Sequence, residues 1–287
     1  MAIIRKCYLC NSSKLSKVPG SVRDKPELFV KRCCNCGLLF LSSFDHINEE
    51  LYRFSGMHQV SPDINQWLID TENDDQRRYE YCLPIVTGKK VLDFGCGNGG
   101  FLIRIRDKVK SLMGVDLEKA LSGHFGNQAI PFADNLDQIN EKYDVITLFH
   151  VLEHLTDPSA MLKELKTFLK PGGQIIIEVP NANDALLTLY DSEAFRNFTY
   201  WSFHLFIFNA ETLKLIFNRI GATTAYIKHI QRYSVSNHLH WLAKSTPGGH
   251  KKWSFLDSSA MTKCYEKELA SLGMTDTLLA SIYFEEI

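Results

Sequence analysis

The residues most suited to chemistry lie in a glycine-rich stretch at 91–102. Two apolar residues lead into Asp93, and apolar residues resume after a run of glycines at Gly95, Gly97, Gly99 and Gly100. This pattern predicts a buried strand, a tight turn and the first turn of a helix, with glycines where a ligand must approach the main chain closely. A cofactor that contains a nucleoside is expected at this turn.

Two classes of cofactor fit such a turn. The spacing Gly-x-Gly-x-x-Gly at 95–100 satisfies the dinucleotide fingerprint, and Asp116 stands where a ribose-binding acid is expected, about 20 residues further on. Asp93 discriminates between the classes, because a carboxylate at the end of the strand repels a pyrophosphate but attracts the ammonium group of an amino acid. S-adenosylmethionine (SAM) has an ammonium group, a ribose and no phosphate. We therefore favour SAM and keep NAD as the alternative.

The same stretch resembles motif I of the class I SAM-dependent methyltransferases. That motif, Asp-x-Gly-x-Gly-x-Gly, is matched at Asp93, Gly95, Gly97 and Gly99. The resemblance implies an α/β fold, with a seven-stranded Rossmann-like sheet covered by helices on both faces.

Three further strings extend the resemblance over residues 88–181. They are His-Val-Leu-Glu-His-Leu-x-Asp-Pro from His150, Leu-Lys-Pro-Gly-Gly from Leu169 and Glu-Val-Pro-Asn from Glu178. Together they are similar to the ubiquinone-type and sugar-modifying members of the class. A dehydrogenase would also need a hydride-accepting site, which nothing in the sequence indicates, so the series favours SAM over NAD.

The resemblance assigns roles to the ends of successive strands. It implies that SAM contacts Asp93, Gly95, Gly97, Gly99, Asp116, Leu117, Asp134 and His150. Asp116 would accept hydrogen bonds from both ribose hydroxyls, which suits the two oxygens of a carboxylate. Leu117 would pack on the adenine, and Asp134 would accept a hydrogen bond from the adenine amine, with its neighbour Asn135 as a competitor.

Three histidines are candidates for acid–base chemistry. Transfer of a methyl group from a sulfonium is an in-line displacement, so positioning the acceptor dominates, and an alcohol acceptor also requires a general base. His150 follows the predicted fourth strand beside the expected methyl group, whereas His204 and His238 approach from the substrate side. The pair Glu153 and His154 is expected to order the loop through hydrogen bonds. A buried, hydrogen-bonded histidine is the alternative for each candidate.

Two Cys-x-x-Cys pairs near the N-terminus predict a structural zinc ion. Each pair can turn two thiolates toward one tetrahedral ion, and Gly37 permits the tight turn after the second pair. The predicted ligands are Cys7, Cys10, Cys33 and Cys36. Redox cysteines and unliganded thiols are the alternatives, and Cys34 is the spare residue.

A nucleic-acid function for this ribbon is disfavoured. Residues 1–41 contain eight Lys and Arg residues against two acids, but the whole chain has a formal net charge of −1. The basic residues are scattered, with no series of aromatic residues for stacking on bases. A solvated basic face is the preferred interpretation, and an RNA-binding or RNA-modifying ribbon protein is the alternative from a different functional class.

The 287 residues are enough for one full α/β domain and a small accessory domain. The sequence predicts a zinc ribbon at 1–45 and a helical segment covering the cofactor at 46–87. A SAM-binding core is predicted at 88–230, followed by a C-terminal substrate-covering insert with the last strands at 231–287. We expect helices at 63–70 and 75–86 within the covering segment and a helix stop at 171–173 within the core. The final helix and strand are expected to close the sheet edge. The His-rich insert resembles a segment of small zinc-ribbon methyltransferases from bacterial surface-glycan and tailoring clusters.

The expected enzyme is a SAM-dependent methyltransferase that acts on a small molecule. O-methylation of a sugar, a nucleotide-linked sugar or a related metabolite in surface-glycan (polysaccharide) or natural-product tailoring biosynthesis is favoured, and C- or N-methylation is the alternative. The sequence contains neither a signal peptide nor an apolar run of membrane-spanning length, so a cytoplasmic location and no membrane partner are expected.

Overall fold

The structure, a computed structural model, describes residues 2–48 and 63–285 of the chain. Its main sheet has seven strands in the order β10-β11-β8-β7-β4-β5-β6. These strands are β4 Lys90–Phe94, β5 Ser111–Val115, β6 Phe132–Ala133, β7 Tyr143–Phe149, β8 Leu169–Pro180, β10 Thr223–Ile230 and β11 Thr277–Tyr283. β4 to β8 run parallel, whereas β10 and β11 pair antiparallel with their neighbours. The predicted α/β fold with a seven-stranded Rossmann-like sheet is confirmed.

Helices cover both faces of this sheet. The helices are α1 Ile64–Val86, α2 Gly100–Ile105, α3 Ser122–Asn127, α4 Pro158–Thr167, α5 Glu193–Thr199, α6 Ala210–Arg219, α7 Val235–Lys244, α8 Gly249–Lys252 and α9 Ser259–Leu272. Along β8, Ile175 and Ile177 belong to one apolar cluster and Ile176 to the other. Successive side chains of a strand point to opposite faces, so both faces are buried. This explains why the central strands are nearly continuous apolar runs.

The first helix differs from the sequence prediction. The helices expected at 63–70 and 75–86 form one continuous helix, α1, and Pro84 lies near its C-terminal end. The Asp63 carboxylate caps the helix by accepting hydrogen bonds from the amides of Asn65 and Gln66. Of the predicted covering segment at 46–87, residues 49–62 lie outside the described residues.

Two helices begin at side-chain caps. Asp157 caps α4 by accepting from the amide of Ala160, and Pro158 occupies the first turn. Asn209 caps α6 in a reciprocal capping box with Thr212.

The Pro-Gly-Gly sequence at 171–173, expected to end α4, instead lies inside β8. The helix already ends at Thr167, and the pairing of β8 with β7 shifts register between Tyr143 and Val145. The extra residues are accommodated by this irregularity of the strand.

The last strand does not close the edge of the sheet. β11 lies between β8 and β10, and β10 forms the edge. Residues Leu278 to Ile282 are almost fully buried, which is the environment of an interior strand. The connection from β10 to β11 carries α7, α8 and α9, so the His-rich insert lies between the sixth and seventh strands of the main sheet.

The N-terminal ribbon is joined to the core by a shared sheet. Its strands, β1 Leu15–Lys17, β2 Val30–Cys33 and β3 Leu39–Leu41, are continued by β9 Phe206–Ile207 of the core, in the order β1-β2-β3-β9. The ribbon and one face of the main sheet contribute to the same apolar cluster, which includes Phe40 and Phe206. The ribbon therefore packs as part of the body that carries the site. Among the described residues, no helix is both long enough and apolar enough to cross a membrane.

Candidate functional site

The glycine-rich turn has the backbone conformation that its sequence predicts. Gly95, Gly97 and Gly99 have φ values of +73°, +52° and +73°, in the left-handed region that favours glycine. A Cβ atom on Gly95 would lie 2.3 Å from Cγ2 of Val151, so this position also lacks space for a side chain. The turn joins the end of β4 to the start of α2, and its residues Gly95 and Gly97 line a large cavity.

Asp93 lies at the end of β4, next to this turn, and is only 3% exposed. Its Oδ1 accepts a 2.6 Å hydrogen bond from the Thr147 hydroxyl. Burial raises the pKa of Asp93 to about 7, with further upward contributions from Asp75 and Asp116. A buried carboxylate destabilised in this way is suited to a cationic ligand such as the SAM ammonium group. The residue thus fits the cofactor inferred from the sequence.

Asp116 follows β5 and connects it to the glycine turn. Its Oδ2 accepts a 2.9 Å hydrogen bond from the Gly97 amide, and its Oδ1 accepts a 3.0 Å hydrogen bond from the Glu118 amide. These bonds fix the carboxylate at the position where a ribose is expected beside the turn. Leu117, predicted to pack on adenine, lines the same cavity.

Asp134, the predicted partner of the adenine amine, follows β6. Its Oδ1 accepts hydrogen bonds from the side-chain amides of Asn135 at 2.8 Å and Gln138 at 2.6 Å. Lys119 forms an ion pair with its other oxygen at 3.3 Å. Asn135, the competitor for this role, therefore orients Asp134 through its amide donor.

The predicted site residues meet at one cavity of about 1160 Å³. It is larger than the ~300–1,000 Å³ usual for a small-molecule site, which leaves room for a cofactor and an acceptor together. Its lining includes Asp93, Gly95, Gly97, Asp116, Leu117, Asp134, His150, His204 and His238. Gly99 is not part of this lining, and it forms the N-cap of α2.

His150 follows β7 with a φ of +56° and takes part in a charged network. Its Nδ1 lies 3.1 Å from Oε1 of Glu153, and its Nε2 lies 3.3 Å from Oε1 of Glu178 and 3.1 Å from Nη1 of Arg232. Burial and Arg232 lower the pKa of His150, but the two glutamates outweigh them, and the net shift is upward.

His204 faces a pair that the sequence assigned only to loop ordering. His204 Nδ1 donates a 3.3 Å hydrogen bond to the carbonyl of Thr199, and its ring centroid lies 5.2 Å from that of His154. Burial and the neighbouring His154 lower the pKa of His204 to about 3. Glu153, with no exposed surface, completes the group, and its Oε1 lies 3.9 Å from Nε2 of His154. Because His204 is far from Glu153 and His154 in the sequence, its contact with them could not be predicted from residue spacing.

His238, the third candidate, has protein partners at both ring nitrogens. Its Nδ1 lies 2.7 Å from the Tyr265 hydroxyl, and its Nε2 accepts a 3.2 Å hydrogen bond from the Gln231 amide. Burial lowers its pKa to about 4. Tyr265 continues this chain to Tyr190, with 3.0 Å between the hydroxyl oxygens.

A buried charge network beneath the cavity was missed by the sequence reasoning. Glu178 in β8 has no exposed side-chain surface, and it binds Nη1 of Arg77 at 2.7 Å and Nη2 of Arg78 at 2.8 Å. The Asp74 carboxylate binds Arg232 of the insert and accepts a 2.8 Å hydrogen bond from Nε of Arg232. The charge of Glu178 at the end of the apolar run 175–177 could have indicated this network, because a buried charge requires a partner.

The four predicted metal-binding cysteines form one cluster in the ribbon. Their sulfur atoms all lie within 4.8 Å of one another, with 3.5 Å between Cys7 and Cys36 and 3.4 Å between Cys10 and Cys33. None of the four forms a disulfide bond, and Cys34 is exposed. Zinc–sulfur bonds of about 2.3 Å in a tetrahedron place sulfurs about 3.8 Å apart. The cluster fits a tetrahedral ion.

Comparison with known proteins identifies the family. The model of the methyltransferase domain family matches residues 70–227, more than half of the chain. The chain belongs to this family. The chain thus contains a methyltransferase domain with the class I fold, and this supports SAM rather than NAD as the ligand of the cavity.

Similar curated proteins have different acceptors. The methyltransferase is 26% identical over 164 residues to "Ubiquinone biosynthesis O-methyltransferase" of Aeromonas salmonicida, a match over 52% of this chain. It is 30% identical over 186 residues to "tRNA U34 carboxymethyltransferase" of Campylobacter hominis, a match over 56% of this chain. In both cases the match spans 64% of the relative's length, which is less than two thirds.

Solved structures support the fold alone. A SAM-dependent methyltransferase of Thermotoga maritima, described as a possible histamine N-methyltransferase, matches with a TM-score of 0.51 and 14% identity. The match covers 85% of this methyltransferase and 100% of that chain. A complex of the Haloferax volcanii Trm112 activator and a putative methyltransferase also matches with a TM-score of 0.51, at 17% identity over 79% of this chain and 100% of that one.

Proposed function

We propose that this enzyme transfers a methyl group from SAM to a hydroxyl oxygen of a sugar, a nucleotide-linked sugar or a related small metabolite. The main support for the proposal is one continuous cavity that extends from the glycine turn to a wall of aromatic and histidine side chains. These side chains include Phe198, Trp201 and His204. C- or N-methylation of a similar compound is the alternative within the same cofactor chemistry.

The cofactor end of the cavity has a donor and acceptor set that suits SAM. We assign the ammonium group to Asp93, the ribose to Asp116, the adenine to Leu117 and the adenine amine to Asp134. When bound, SAM supplies an activated methyl group on a positively charged sulfur. Residues of the chain then hold the acceptor oxygen near that methyl group, and positioning of this kind provides the largest part of the rate enhancement.

The acceptor end has the character of a carbohydrate site. Trp201 packs against Phe203 with ring centroids 4.8 Å apart and presents an edge-on contact to His204 at 5.4 Å. Aromatic faces pack on the apolar faces of sugar rings, and nearby polar groups orient the hydroxyls. The His-rich insert adds His238 and Tyr233 to the lining of the same cavity.

The acceptor hydroxyl must lose its proton as the new carbon–oxygen bond forms and the carbon–sulfur bond breaks. We assign proton uptake to the imidazole of either His150 or His204, which both border the cavity. His238 is the third candidate, and its two ring nitrogens have partners in Gln231 and Tyr265. The ring nitrogens of His150 likewise both have protein partners. Separate His150→Ala and His204→Ala variants test the assignment. If turnover falls by less than about tenfold in both variants, the general-base assignment is rejected.

We further propose that Cys7, Cys10, Cys33 and Cys36 hold a structural zinc ion. The clustering of their sulfur atoms, none of which is in a disulfide bond, supports this assignment, since four thiolates are a common ligand set of structural zinc. We also propose the division at 1–45, 46–87, 88–230 and 231–287 into ribbon, covering segment, SAM-binding core and substrate-covering insert. A cytoplasmic pathway of surface-glycan or natural-product tailoring is the proposed setting.

Ligand binding and transfer to defined acceptors test the function. We expect S-adenosylhomocysteine to raise the melting temperature of the protein and NAD to leave it unchanged. Transfer of a radiolabelled methyl group should then be measured with panels of sugars and nucleotide sugars. Mixed tRNA belongs in the same assay, because one similar protein is a tRNA-modifying enzyme. Labelling of RNA with no labelling of any sugar would overturn the proposed acceptor class.

A further inference from the structure

Glu153, His154 and His204 bring three potential metal ligands together in the cavity wall. Each offers one ligand atom, and these atoms all lie within 4.8 Å of one another. Glu153 and His154 follow β7, whereas His204 comes from the segment before β9. The three side chains border the cavity in which the acceptor is proposed to bind. The cluster is distinct from the cysteines of the ribbon.

The two imidazoles are oriented as metal ligands usually are. His154 Nδ1 donates a 2.7 Å hydrogen bond to the carbonyl of Phe203, and His204 Nδ1 donates to the carbonyl of Thr199 at 3.3 Å. Because the proton of each neutral ring is held at Nδ1, Nε2 carries the lone pair. A backbone carbonyl on the second ring nitrogen is the common outer contact of a metal-binding histidine, since it fixes the tautomer and the ring orientation.

Glu153 supplies a second, independent indication. The residue has no exposed surface, and its Oε2 has no hydrogen-bond partner among the described residues. A pairing with His150 alone does not account for this atom, because His150 contacts the other oxygen, Oε1. A buried carboxylate oxygen without a partner is costly, and binding of a cation would remove that cost.

We propose that Glu153, His154 and His204 bind a divalent transition-metal ion that in turn binds the acceptor hydroxyl. Two imidazoles and one carboxylate leave coordination positions open for an oxygen ligand, and this set favours iron, cobalt or zinc over magnesium or calcium. The role in transfer rests on the proposed function, whereas binding of the ion does not. With the ion in place, His204 is a ligand, and the hydroxyl proton passes to His150.

The experiment is a Co²⁺ titration of the full chain with zinc loaded in the ribbon. Binding is followed by calorimetry and by visible absorption, because cobalt bound to thiolates gives an intense charge-transfer band that nitrogen and oxygen ligands do not give. We expect one Co²⁺ per chain without that band. Glu153→Gln and His204→Ala should each weaken binding by at least about tenfold. His250→Ala, a histidine of the same cavity outside the cluster, should bind as the wild type does.

The outcomes separate the ion site from the proposed function. Far-ultraviolet circular dichroism and S-adenosylhomocysteine binding confirm that each variant is folded. The proposal is overturned if the wild type takes up no Co²⁺ beyond the ribbon, or if Glu153→Gln, His204→Ala and His250→Ala all bind it equally. Tight Co²⁺ binding together with no transfer to any hydroxyl would keep the ion site and reject the acceptor class.

Discussion

Asp93 and Thr147 face each other in register on the neighbouring parallel strands β4 and β7, and the Thr147 hydroxyl donates a 2.6 Å hydrogen bond to Oδ1 of Asp93. Both residues are almost fully buried. Burial nevertheless outweighs this bond and raises the pKa of Asp93 to about 7. The carboxylate is therefore held in an environment that opposes its charge until a cation arrives.

Asp93→Asn should separate stability from cofactor binding. The folded pKa of Asp93, about 7, lies above the ordinary value of 3.8. The bound proton therefore stabilises the fold fully below the ordinary pKa, and this stabilisation is lost as the pH rises through about 7. In the absence of ligand, the free energy of unfolding of the wild type should fall between pH 4 and pH 8 by on the order of 2–4 kcal/mol relative to that of the variant. Urea unfolding at the two pH values measures this difference.

The same substitution should weaken S-adenosylhomocysteine binding at pH 8 by at least about tenfold, because the amide carries no charge for the ammonium group. Asp137→Asn is the matched control, since Asp137 is an exposed acid at the border of the same cavity. Equal affinity of the wild type and Asp93→Asn would show that Asp93 does not bind the cofactor.

Two glycines with similar backbone angles should respond differently to alanine. Gly88 and Gly95 have φ values of +71° and +73°, but a Cβ on Gly88 meets nothing within 4 Å, whereas one on Gly95 meets Val151 at 2.3 Å. Each alanine substitution should lower the free energy of unfolding by about 1 kcal/mol, because alanine is strained in the left-handed backbone conformation. Gly95→Ala should lose about 1–3 kcal/mol more through overpacking, and should also weaken S-adenosylhomocysteine binding. Urea unfolding of the pair would contradict this account if the two losses were equal.

Features specified by short stretches of sequence were predictable. The turn after β4 needs glycines at fixed positions, and the caps Asp157 and Asn209 act within three residues of themselves. The strand ends carrying Asp93 and Asp116 meet at one edge because parallel strands align their carboxyl ends. Features set by distant contacts were not predictable. The interior position of β11 depends on which neighbour it pairs with, which the sequence of that strand does not encode.

The histidines illustrate the same limit within the site. His150, His204 and His238 were recognised as residues facing the cavity, and the structure brings all three to its lining. Their different environments arise from partners far away in the chain. Arg232 approaches His150 from 82 residues away, and Phe203 accepts from His154 across 49 residues. Residue type and local spacing contain no information about such contacts.

Removal of the charge of Glu178 should be strongly destabilising. Glu178 is fully buried between Arg77 and Arg78, and this network keeps its pKa well below the ordinary value despite burial. Glu178→Gln removes the fully buried carboxylate that both guanidinium groups share and leaves them only their ion pairs with Asp74 and Asp75. We therefore expect a loss of about 3 kcal/mol in the free energy of unfolding, the lower end of the range for a broken buried ion pair. Glu141→Gln is the control, because Glu141 forms an exposed ion pair with Lys90 and its loss should change stability by less than about 1 kcal/mol. Similar losses in both variants would contradict the account.

Loss of zinc from the ribbon should impair acceptor use and leave cofactor binding intact. The segment 197–208, which carries Trp201 and His204, is held largely by the ribbon. Asp24 accepts hydrogen bonds from the Ser202 amide at 3.0 Å and from its hydroxyl at 2.6 Å, and the amide of Leu41 donates to the carbonyl of Leu205 at 3.0 Å. The residues assigned to SAM lie instead at the ends of β4, β5 and β6.

Cys10→Ser, which removes one proposed zinc ligand, is therefore expected to raise the acceptor KM or lower kcat by at least about tenfold, because misplaced acceptor groups lose the benefit of orientation. S-adenosylhomocysteine affinity should stay within about twofold of the wild type. Hydrogen exchange of amides in 197–208 should accelerate, since their partners in the ribbon are loosened. Cys34→Ser, which alters the exposed spare cysteine, should change none of these quantities. If cofactor affinity fell in parallel with turnover, or if exchange in 197–208 were unaffected, the ribbon would not be acting through this segment.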